Sequence, residues 1–288
     1  MKRKDFLKSS ILGLGFITTG GITEGKNEET EKNTEQVGFN HLPEPQNIQV
    51  KNNMILHKAD SRGYANHGWL ESRFTFSFAS YYNPQRMHFG VLRVLNDDII
   101  SGGRGFGMHP HDNMEIISVP ISGALEHKDN MGNSYVIKDT EVQVMSAGTG
   151  IYHSEYNAKK DELAKFLQIW VFTKTRNVTP RYGQMKFDIK ERKNKFQLIV
   201  SPNSKAQDHL WIHQDAWFYL TDMDKGKVQN YRINKPGNGL YVFVIEGNAN
   251  VNGQELESRD GLGITRFTEV EFKATGACKL LLMEVPMN

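Results

Sequence analysis

Cysteine is almost absent from this chain of 288 residues, which contains a single one, Cys278. One cysteine cannot form an intramolecular disulfide, and it cannot provide the cysteine cluster of a structural zinc site. Cys278 lies in an apolar run that ends at Met283, where a free thiol is typically buried and unreactive. We therefore expect neither a disulfide framework nor cysteine-based zinc chemistry.

An excess of charge of one sign is also lacking, because the formal net charge at pH 7 is only +2. A nucleic-acid-binding domain usually concentrates lysine and arginine in a strongly basic patch or stripe. The lysines and arginines of this chain are instead balanced by nearly as many acidic residues. We expect that the protein does not bind nucleic acid.

Long hydrophobic runs are missing too, and the N-terminus carries only a short one. Four basic residues among the first eight precede the apolar stretch from Ile11 to Ile17, which is too short to span a bilayer. This order predicts a signal peptide over residues 1–24, and the segment from Arg3 to Lys8 resembles a twin-arginine export signal with Lys4 in place of the second arginine. No cysteine lies directly after the apolar stretch, which excludes lipoprotein anchoring. We expect an exported, periplasmic protein without a membrane anchor; the alternative is a cytoplasmic protein with an amphipathic N-terminal tail.

The rest of the chain alternates between short apolar runs and turn-forming residues. Residues 25–45 are polar and charged, so they predict a disordered tether. From about residue 46, turn signals such as 96–98 and 252–253 separate strand candidates, and helical periodicity is scarce. The pattern predicts an all-β fold. The strand candidates are 73–78, 89–95, 114–119, 142–146, 166–172, 197–200, 240–245 and 279–285.

A weak internal repeat divides the β-rich part into two. An apolar strand that ends in glycine occurs at residues 115–123 and again at residues 240–247. Two copies of one unit fit the length, with a join near residues 175–195. We therefore predict two tandem β-barrels, at residues 46–180 and 181–288.

Two pairs of polar residues carry the chemistry. His109 and His111 flank one proline, and His153 and Glu155 flank one serine. Alternate residues of a strand point to the same face, so each pair presents two ligands side by side. If the two strands face each other inside a barrel, three imidazoles and a carboxylate converge. That set suits Fe, Mn, Ni, Co or Zn. Spacing alone leaves the carboxylate open, because Glu115 has the same parity as His111.

These motifs resemble a known superfamily. Gly103, His109, His111 and Glu115 have the spacing of the first cupin motif, although Gly123 closes it one residue late. The further resemblance is to the pirin-like branch and covers roughly residues 52–288. It is carried by the segments 66–69, 74–78, 105–111, 145–151, 168–170 and 180–182. The implied fold is a bicupin, with two tandem barrels of the double-stranded β-helix type and few helices.

The resemblance also implies a site and a function. Pirin-like proteins generally hold iron in the N-terminal barrel, at the positions of His109, His111, His153 and Glu155. It therefore favours Glu155 over Glu115 as the carboxylate ligand, and it implies a C-terminal barrel without metal. Glu115 is then expected to be a neighbour that accepts a ligand's ring N–H or a residue of the strand face, with direct ligation as the remaining alternative. The cofactor expected is Fe(II), with Mn, Ni, Co or Zn as alternatives.

Bacterial members of this branch are assigned quercetin 2,3-dioxygenase activity. The implied partners are a small aromatic substrate and O₂, and Glu155 is the candidate catalytic base. The alternative function is that of a non-enzymatic iron-binding redox sensor or protein-interaction module. A signal peptide argues against the nuclear role of eukaryotic pirins, because an exported protein does not meet transcription machinery.

Overall fold

The computed structural model of the protein describes residues 50–51 and 53–287. The predicted signal peptide (1–24) and tether (25–45) lie outside these residues and stay predictions. The described part consists of β-strands joined by loops and two short 3₁₀ helices, Ala59–Ser61 and Ile189–Arg192. None of its helices has the length and apolar character needed to cross a membrane. The prediction of an all-β fold with few helices is confirmed.

Twelve strands lie in the first half of the described chain. They are β1 (Val50–Lys51), β2 (Met54–His57), β3 (Gly63–Asn66), β4 (Leu70–Phe74), β5 (Leu92–Ile100), β6 (Gly105–His111), β7 (Met114–Ser122), β8 (Ala124–Asp129), β9 (Ser134–Lys138), β10 (Glu141–Ser146), β11 (Ile151–Asn157) and β12 (Ala164–Phe172).

Eleven strands follow in the second half. They are β13 (Arg181–Lys186), β14 (Gln197–Ser201), β15 (Leu210–Trp211), β16 (Trp217–Met223), β17 (Val228–Arg232), β18 (Asn238–Glu246), β19 (Ala249–Val251), β20 (Gln254–Leu256), β21 (Gly261–Ile264), β22 (Glu269–Ala274) and β23 (Cys278–Pro286).

The strands form two barrels, each built from a large and a small sheet. In the first barrel the large sheet has the order β13-β10-β7-β12-β5-β4-β3, and the small sheet has the order β6-β11-β8-β9. In the second barrel the orders are β1-β2-β21-β18-β23-β16-β14-β15 and β17-β22-β19-β20. In these four sheets β14 and β15 pair in parallel, and all other neighbouring strands pair antiparallel. The architecture agrees with the predicted bicupin.

The two barrels exchange strands across the predicted boundary at residue 180. β2 pairs with β21 in the second barrel, although it lies at the start of the described chain. β13 pairs with β10 in the first barrel, although it follows the boundary. Strands β1 and β2 thus belong to the sheets of the second barrel and β13 to those of the first, on the other side of the predicted boundary between 46–180 and 181–288. Hydrogen bonding to a sheet, and not position along the chain, decides which barrel a strand completes.

Side chains point alternately to the two faces of the central strands. One set fills the interior of the second barrel, and the other set forms a core that both barrels share. On β18, Leu240, Val242 and Val244 point into the second barrel, together with Leu280 and Leu282 of β23. The intervening Tyr241, Phe243 and Ile245 pack against the first barrel, where Ile117, Val119, Leu167 and Ile169 face them. Burying these side chains stabilises the fold and joins the barrels through one apolar core.

The first barrel differs from the second in what fills it. Its apolar cluster is small and comprises Leu70, Ile100, Leu125, Ile137, Ala164 and Phe166. The inward positions of its central strands carry polar side chains instead, such as Ser118 on β7 and Gln168 on β12. Among the described residues, the interior of the first barrel therefore offers polar side chains that could hold a ligand.

The segment 96–98, expected as a turn, lies inside β5. Asn96 and Asp98 are buried, and the Asp98 carboxylate accepts a hydrogen bond of 2.6 Å from the hydroxyl of Ser72 on β4. Asp97 points the other way and forms an ion pair with Arg62. The polarity of these residues reflects the polar groups that their side chains face in the folded sheet. The sequence pattern alone cannot distinguish such strand residues from the polar residues of a turn. For the same reason the candidate strand 89–95 is displaced to 92–100, and 73–78 to 70–74.

The predicted repeat has a structural basis in two glycines, Gly123 after β7 and Gly247 after β18. Both have φ of +78°, a conformation that glycine adopts without a steric penalty. A Cβ at Gly247 would lie 1.9 Å from the carbonyl oxygen of Ala277, and one at Gly123 would lie 2.6 Å from that of Leu163. In both barrels the turn therefore packs directly on the backbone that leads into the returning strand.

We predict that Gly247→Ala lowers the free energy of unfolding by about 3 kcal/mol or more, because left-handed strain and a backbone clash add up. Gly226→Ala is the matched control, since Gly226 also has positive φ (+83°) but open space around it. Gly226→Ala should lower the free energy of unfolding by only about 1–2 kcal/mol, because it introduces the left-handed strain without the clash. Urea unfolding of the purified proteins measures both values. Equal losses would show that the backbone contact of Gly247 is unimportant.

Candidate metal centre

Three imidazoles meet on the inner face of the small sheet of the first barrel. β6 and β11 are hydrogen-bonded neighbours, and their register places His109 directly opposite His153. The ring centroids of His109 and His153 are 4.4 Å apart, and each lies within 5 Å of that of His111, at 4.9 and 4.8 Å. One nitrogen from each ring can be chosen so that all three lie within 4.8 Å of one another. The three predicted histidine ligands are therefore brought together, across adjacent strands.

The protonation of these rings suits metal binding. Burial, followed by the charge of the neighbouring imidazoles, lowers the pKa of His153 well below its ordinary value and that of His111 to about 3. Both rings are thus neutral at pH 7, the form in which imidazole binds a metal. His109 Nδ1 lies 2.8 Å from the Gly107 carbonyl oxygen, which makes Nδ1 the donor and leaves Nε2 free.

Unsatisfied hydrogen-bonding groups point to a ligand at this place. His153 is completely buried, yet neither of its ring nitrogens has a hydrogen-bond partner in the protein. A buried polar group without a partner is costly, so such groups in native proteins usually have an explanation. A metal ion would satisfy one nitrogen of His153. Three nitrogen ligands and no sulfur suit a divalent transition metal of the iron-to-zinc series.

Glu155 lies on the same strand but its carboxylate is held by other groups. A bulge separates His153 from Glu155 on β11. The carboxylate accepts a hydrogen bond of 2.7 Å from the Gln168 amide and one of 3.2 Å from the Ser118 hydroxyl. Glu155 is buried, but it does not belong to the cluster of converging ligand atoms. Its assignment as the fourth ligand stays a prediction.

Glu115 is directed away from the imidazoles, so the expectation that it accepts a ligand's ring N–H is wrong. Its carboxylate accepts a hydrogen bond of 2.6 Å from the hydroxyl of Ser146 and lies close to His213. Burial raises its pKa, while hydrogen bonds and His213 oppose that shift. Glu115 shares the face of β7 that carries Ile117 and Val119, which looks toward the second barrel. The matching parity of Glu115 and His111 does not place them on one face, because β6 and β7 belong to different sheets.

His127 is a neighbour of the cluster that motif spacing did not identify. It is completely buried on β8, opposite Glu155 on β11, and its ring centroid lies 5.3 Å from that of His153. His127 Nε2 lies 3.1 Å from the Asp129 carboxylate. The available signal was the spacing of His127 and Asp129, which repeats the i, i+2 pattern of the two ligand pairs.

A row of polar side chains crosses the large sheet beneath the cluster. Gln143 on β10, Ser118 on β7, Gln168 on β12 and Asn96 on β5 are direct cross-strand neighbours. All four are buried, and both amide atoms of Gln143 and the amide oxygen of Asn96 lack partners within the protein. Asp98 lies two residues beyond Asn96 along β5. Burial, opposed by the Ser72 hydrogen bond and reinforced by the charges of Asp97 and Glu155, raises its pKa to about 7.

Comparison with protein families identifies both halves of the chain. A family model described as Pirin matches residues 56–171, and one described as Quercetinase C-terminal cupin domain matches residues 198–285. The chain is 42% identical over 233 residues to a quercetin 2,3-dioxygenase of Escherichia coli K12, covering 81% of this chain and 99% of that protein. It is 40% identical over 225 residues to a pirin-like protein of Caulobacter vibrioides, covering 78% and 96%.

Solved structures agree with these matches. The bacterial pirin YhhW of Escherichia coli, in complex with nickel(II), superposes with a TM-score of 0.76 at 40% identity, covering 81% of this chain and 99% of that one. A quercetin 2,3-dioxygenase from Acinetobacter baumannii gives a TM-score of 0.66 at 21% identity, covering 81% and 86%. The second likeness supports the fold alone.

The raised pKa of Asp98 makes stability depend on pH. Between its ordinary pKa of 3.8 and about 7, Asp98 is protonated in the folded protein but ionised in the unfolded chain. The unfolded state binds fewer protons there, so stability falls as pH rises through this window. We predict that the metal-free protein loses more stability between pH 4.5 and pH 8 than its Asp98→Asn variant. Urea unfolding at both pH values measures this, with the exposed Asp60→Asn as control; equal losses in all three proteins would contradict it.

Proposed function

Since the chain belongs to the pirin family, we propose that it is a metal-dependent quercetin 2,3-dioxygenase, which uses O₂ to open the ring of a flavonol. The observation that carries the proposal is the cluster of His109, His111 and His153 in the polar barrel. The relative of 42% identity, which the chain covers almost completely, is named for this reaction.

The metal that we propose is Fe(II), held by His109, His111, His153 and Glu155. The unpartnered nitrogens of His153 and the neutral state of His111 and His153 fit such an ion. Iron bound there would supply a Lewis acid with open positions and redox chemistry toward O₂. The Escherichia coli pirin has been solved in complex with nickel(II), which supports a divalent metal for this family.

We assign Glu155 the role of general base when its carboxylate is not bound to the metal. A flavonol hydroxyl must lose its proton before the ring reacts, and Glu155 is the carboxylate on the strand that carries His153. Gln168 and Ser118 hold its two oxygens, so they determine where the proton is accepted. A positioned base of this kind typically contributes 10²- to 10⁴-fold in rate.

Aromatic side chains provide a surface for a flat substrate. The ring centroids of Trp170 and His111 are 4.9 Å apart, and those of Phe106 and His109 are 6.4 Å apart. Phe106 in turn packs edge-on against Trp69 at 5.5 Å. Aromatic rings at these distances can contact the rings of a flavonol and keep water away from the reacting carbon.

Turnover of quercetin tests the proposal directly. Protein loaded anaerobically with Fe(II) and then mixed with quercetin in air should remove the flavonol absorbance and release carbon monoxide. Glu155→Gln should lower kcat at least 100-fold, whereas Glu126→Gln, a partly exposed carboxylate on β8, should not. Absence of turnover with quercetin and related flavonols would exclude the dioxygenase and favour a metal-binding sensor.

Elemental analysis of the same proteins tests the ligands separately from the reaction. His111→Ala and His153→Ala should lose the metal, whereas His209→Ala, a buried histidine bonded to Ser201 and Asp208, should keep it. If the two ligand variants retained full stoichiometry, the proposed metal site would be wrong whatever the activity.

We also propose that the protein is exported to the periplasm. The support is the basic start of the chain and the apolar stretch from Ile11 to Ile17. Fractionated cells should contain a shortened form in the periplasm, and replacing Arg3 and Lys4 by glutamine should keep the full-length form inside the cell. Full-length protein in the cytoplasm alone would contradict export.

A further inference from the structure

Two adjacent buried imidazoles carry complementary unsatisfied groups. Neither nitrogen of His153 has a partner in the protein, and Nδ1 of His127 also has none. If one nitrogen of His153 binds a metal, the other must carry the ring proton of the neutral imidazole. That N–H would then be a buried donor without an acceptor, and metal-bound histidines nearly always donate it to a neighbour.

Asp129 determines which nitrogen of His127 is the acceptor. Its carboxylate also accepts hydrogen bonds of 2.9 Å from the Met131 amide and of 3.0 and 2.8 Å from the backbone and side chain of Asn133. Burial opposes it, but these bonds keep the pKa of Asp129 below its ordinary value. The carboxylate can only accept, so a neutral imidazole of His127 carries its proton on Nε2 and has its lone pair on Nδ1.

The distance between the two rings suits a hydrogen bond between them. The centroids of His127 and His153 are 5.3 Å apart, with the ring planes at 50°. The structure forms no hydrogen bond between the two rings. Because each ring atom lies ~1.2 Å from its centroid, rotation of the side chains that turned the two nitrogens toward each other would bring them to about 3 Å, the length of an N–H···N bond. The ring of Tyr182 also packs on His127, with centroids 4.6 Å apart, and restricts its movement.

We propose that His127, oriented by Asp129, is a positioning residue that accepts the ring N–H of His153 and so aims the other nitrogen of His153 at the metal. The chain of contacts runs from the Asp129 carboxylate through two imidazoles to the ion. This inference rests on the proposed metal site and adds two residues outside the ligand set. Second-sphere partners of this kind typically change metal affinity by 10- to 100-fold.

Two substitutions of His127 separate the hydrogen bond from packing. His127→Leu removes the acceptor, and His127→Gln keeps an acceptor oxygen. We expect affinity for Co(II), measured by competition with a chelator, to fall 10- to 100-fold in His127→Leu and to recover at least in part in His127→Gln. Thermal unfolding of the metal-free proteins controls for loss of the fold. Equal affinities in His127→Leu and the wild type would overturn the proposal.

Asp129→Asn tests the tautomer with almost no change in shape. An amide donor next to His127 Nε2 would move the proton to Nδ1, so that Nδ1 donates and can no longer accept from His153. Nitrogen-15 NMR of the metal-free protein should show a bare Nδ1 in the wild type and a protonated Nδ1 in the variant, with Co(II) bound at least 10-fold more weakly. Asp208→Asn, in the separate pair of Asp208 and His209, is the matched control and should keep wild-type affinity.

The outcomes distinguish a failure of the proposed role of His127 from a failure of the proposed metal site on which it rests. If His153→Ala bound the metal with wild-type affinity, the proposed metal site itself would be wrong. Metal lost in His153→Ala but held at wild-type affinity in both His127→Leu and Asp129→Asn would leave the site intact and overturn only the role of His127. A protonated Nδ1 on His127 in the wild type would also overturn it.

Discussion

The antiparallel register between β6 and β11 decides where each imidazole of the metal centre lies. It places His109 opposite His153 and His111 opposite Ile151, so that three rings share one face. A slip of one residue would turn His153 to the outside, because side chains alternate along a strand. Gly105 permits the close approach of the strands, since a Cβ there would lie 2.2 Å from the carbonyl oxygen of Glu155. The chemistry of the protein therefore depends on a backbone pairing.

The two barrels have related strands and opposite interiors. The second is filled mainly by aliphatic and aromatic side chains, whose burial contributes stability, and its buried carboxylate, Glu284, accepts hydrogen bonds from Tyr231 and Asn234. The first contains carboxylates, amides and imidazoles, which cost free energy unless they are hydrogen-bonded or bind a ligand. The apolar core between the barrels joins the two, so the stable barrel supports the polar one. Such a division is expected where a functional site lowers local stability.

Hydrogen bonds to atoms that are not ligands determine how the imidazoles can act. The Gly107 carbonyl sets the tautomer of His109, and the Asp129 carboxylate sets that of His127. Gln168 and Ser118 hold Glu155 in a comparable manner. These groups come from four different strands, and each is buried or backbone. A site of this kind is preorganised by its surroundings, which limits the rearrangement needed when a ligand binds.

The sequence by itself indicated the all-β class and three candidate histidine ligands, since these follow from alternation over a few neighbouring residues. It indicated two barrels through a weak internal repeat and the resemblance to cupins. Only the tertiary structure decided what depends on pairing between distant strands. It showed that β2 and β13 complete the other barrel, that residues 96–98 are part of a strand and that Glu115 faces the second barrel. It also brought His127 beside His153. A polar residue in a turn and one facing a polar barrel look alike along the chain, because register and burial are properties of the assembled sheets.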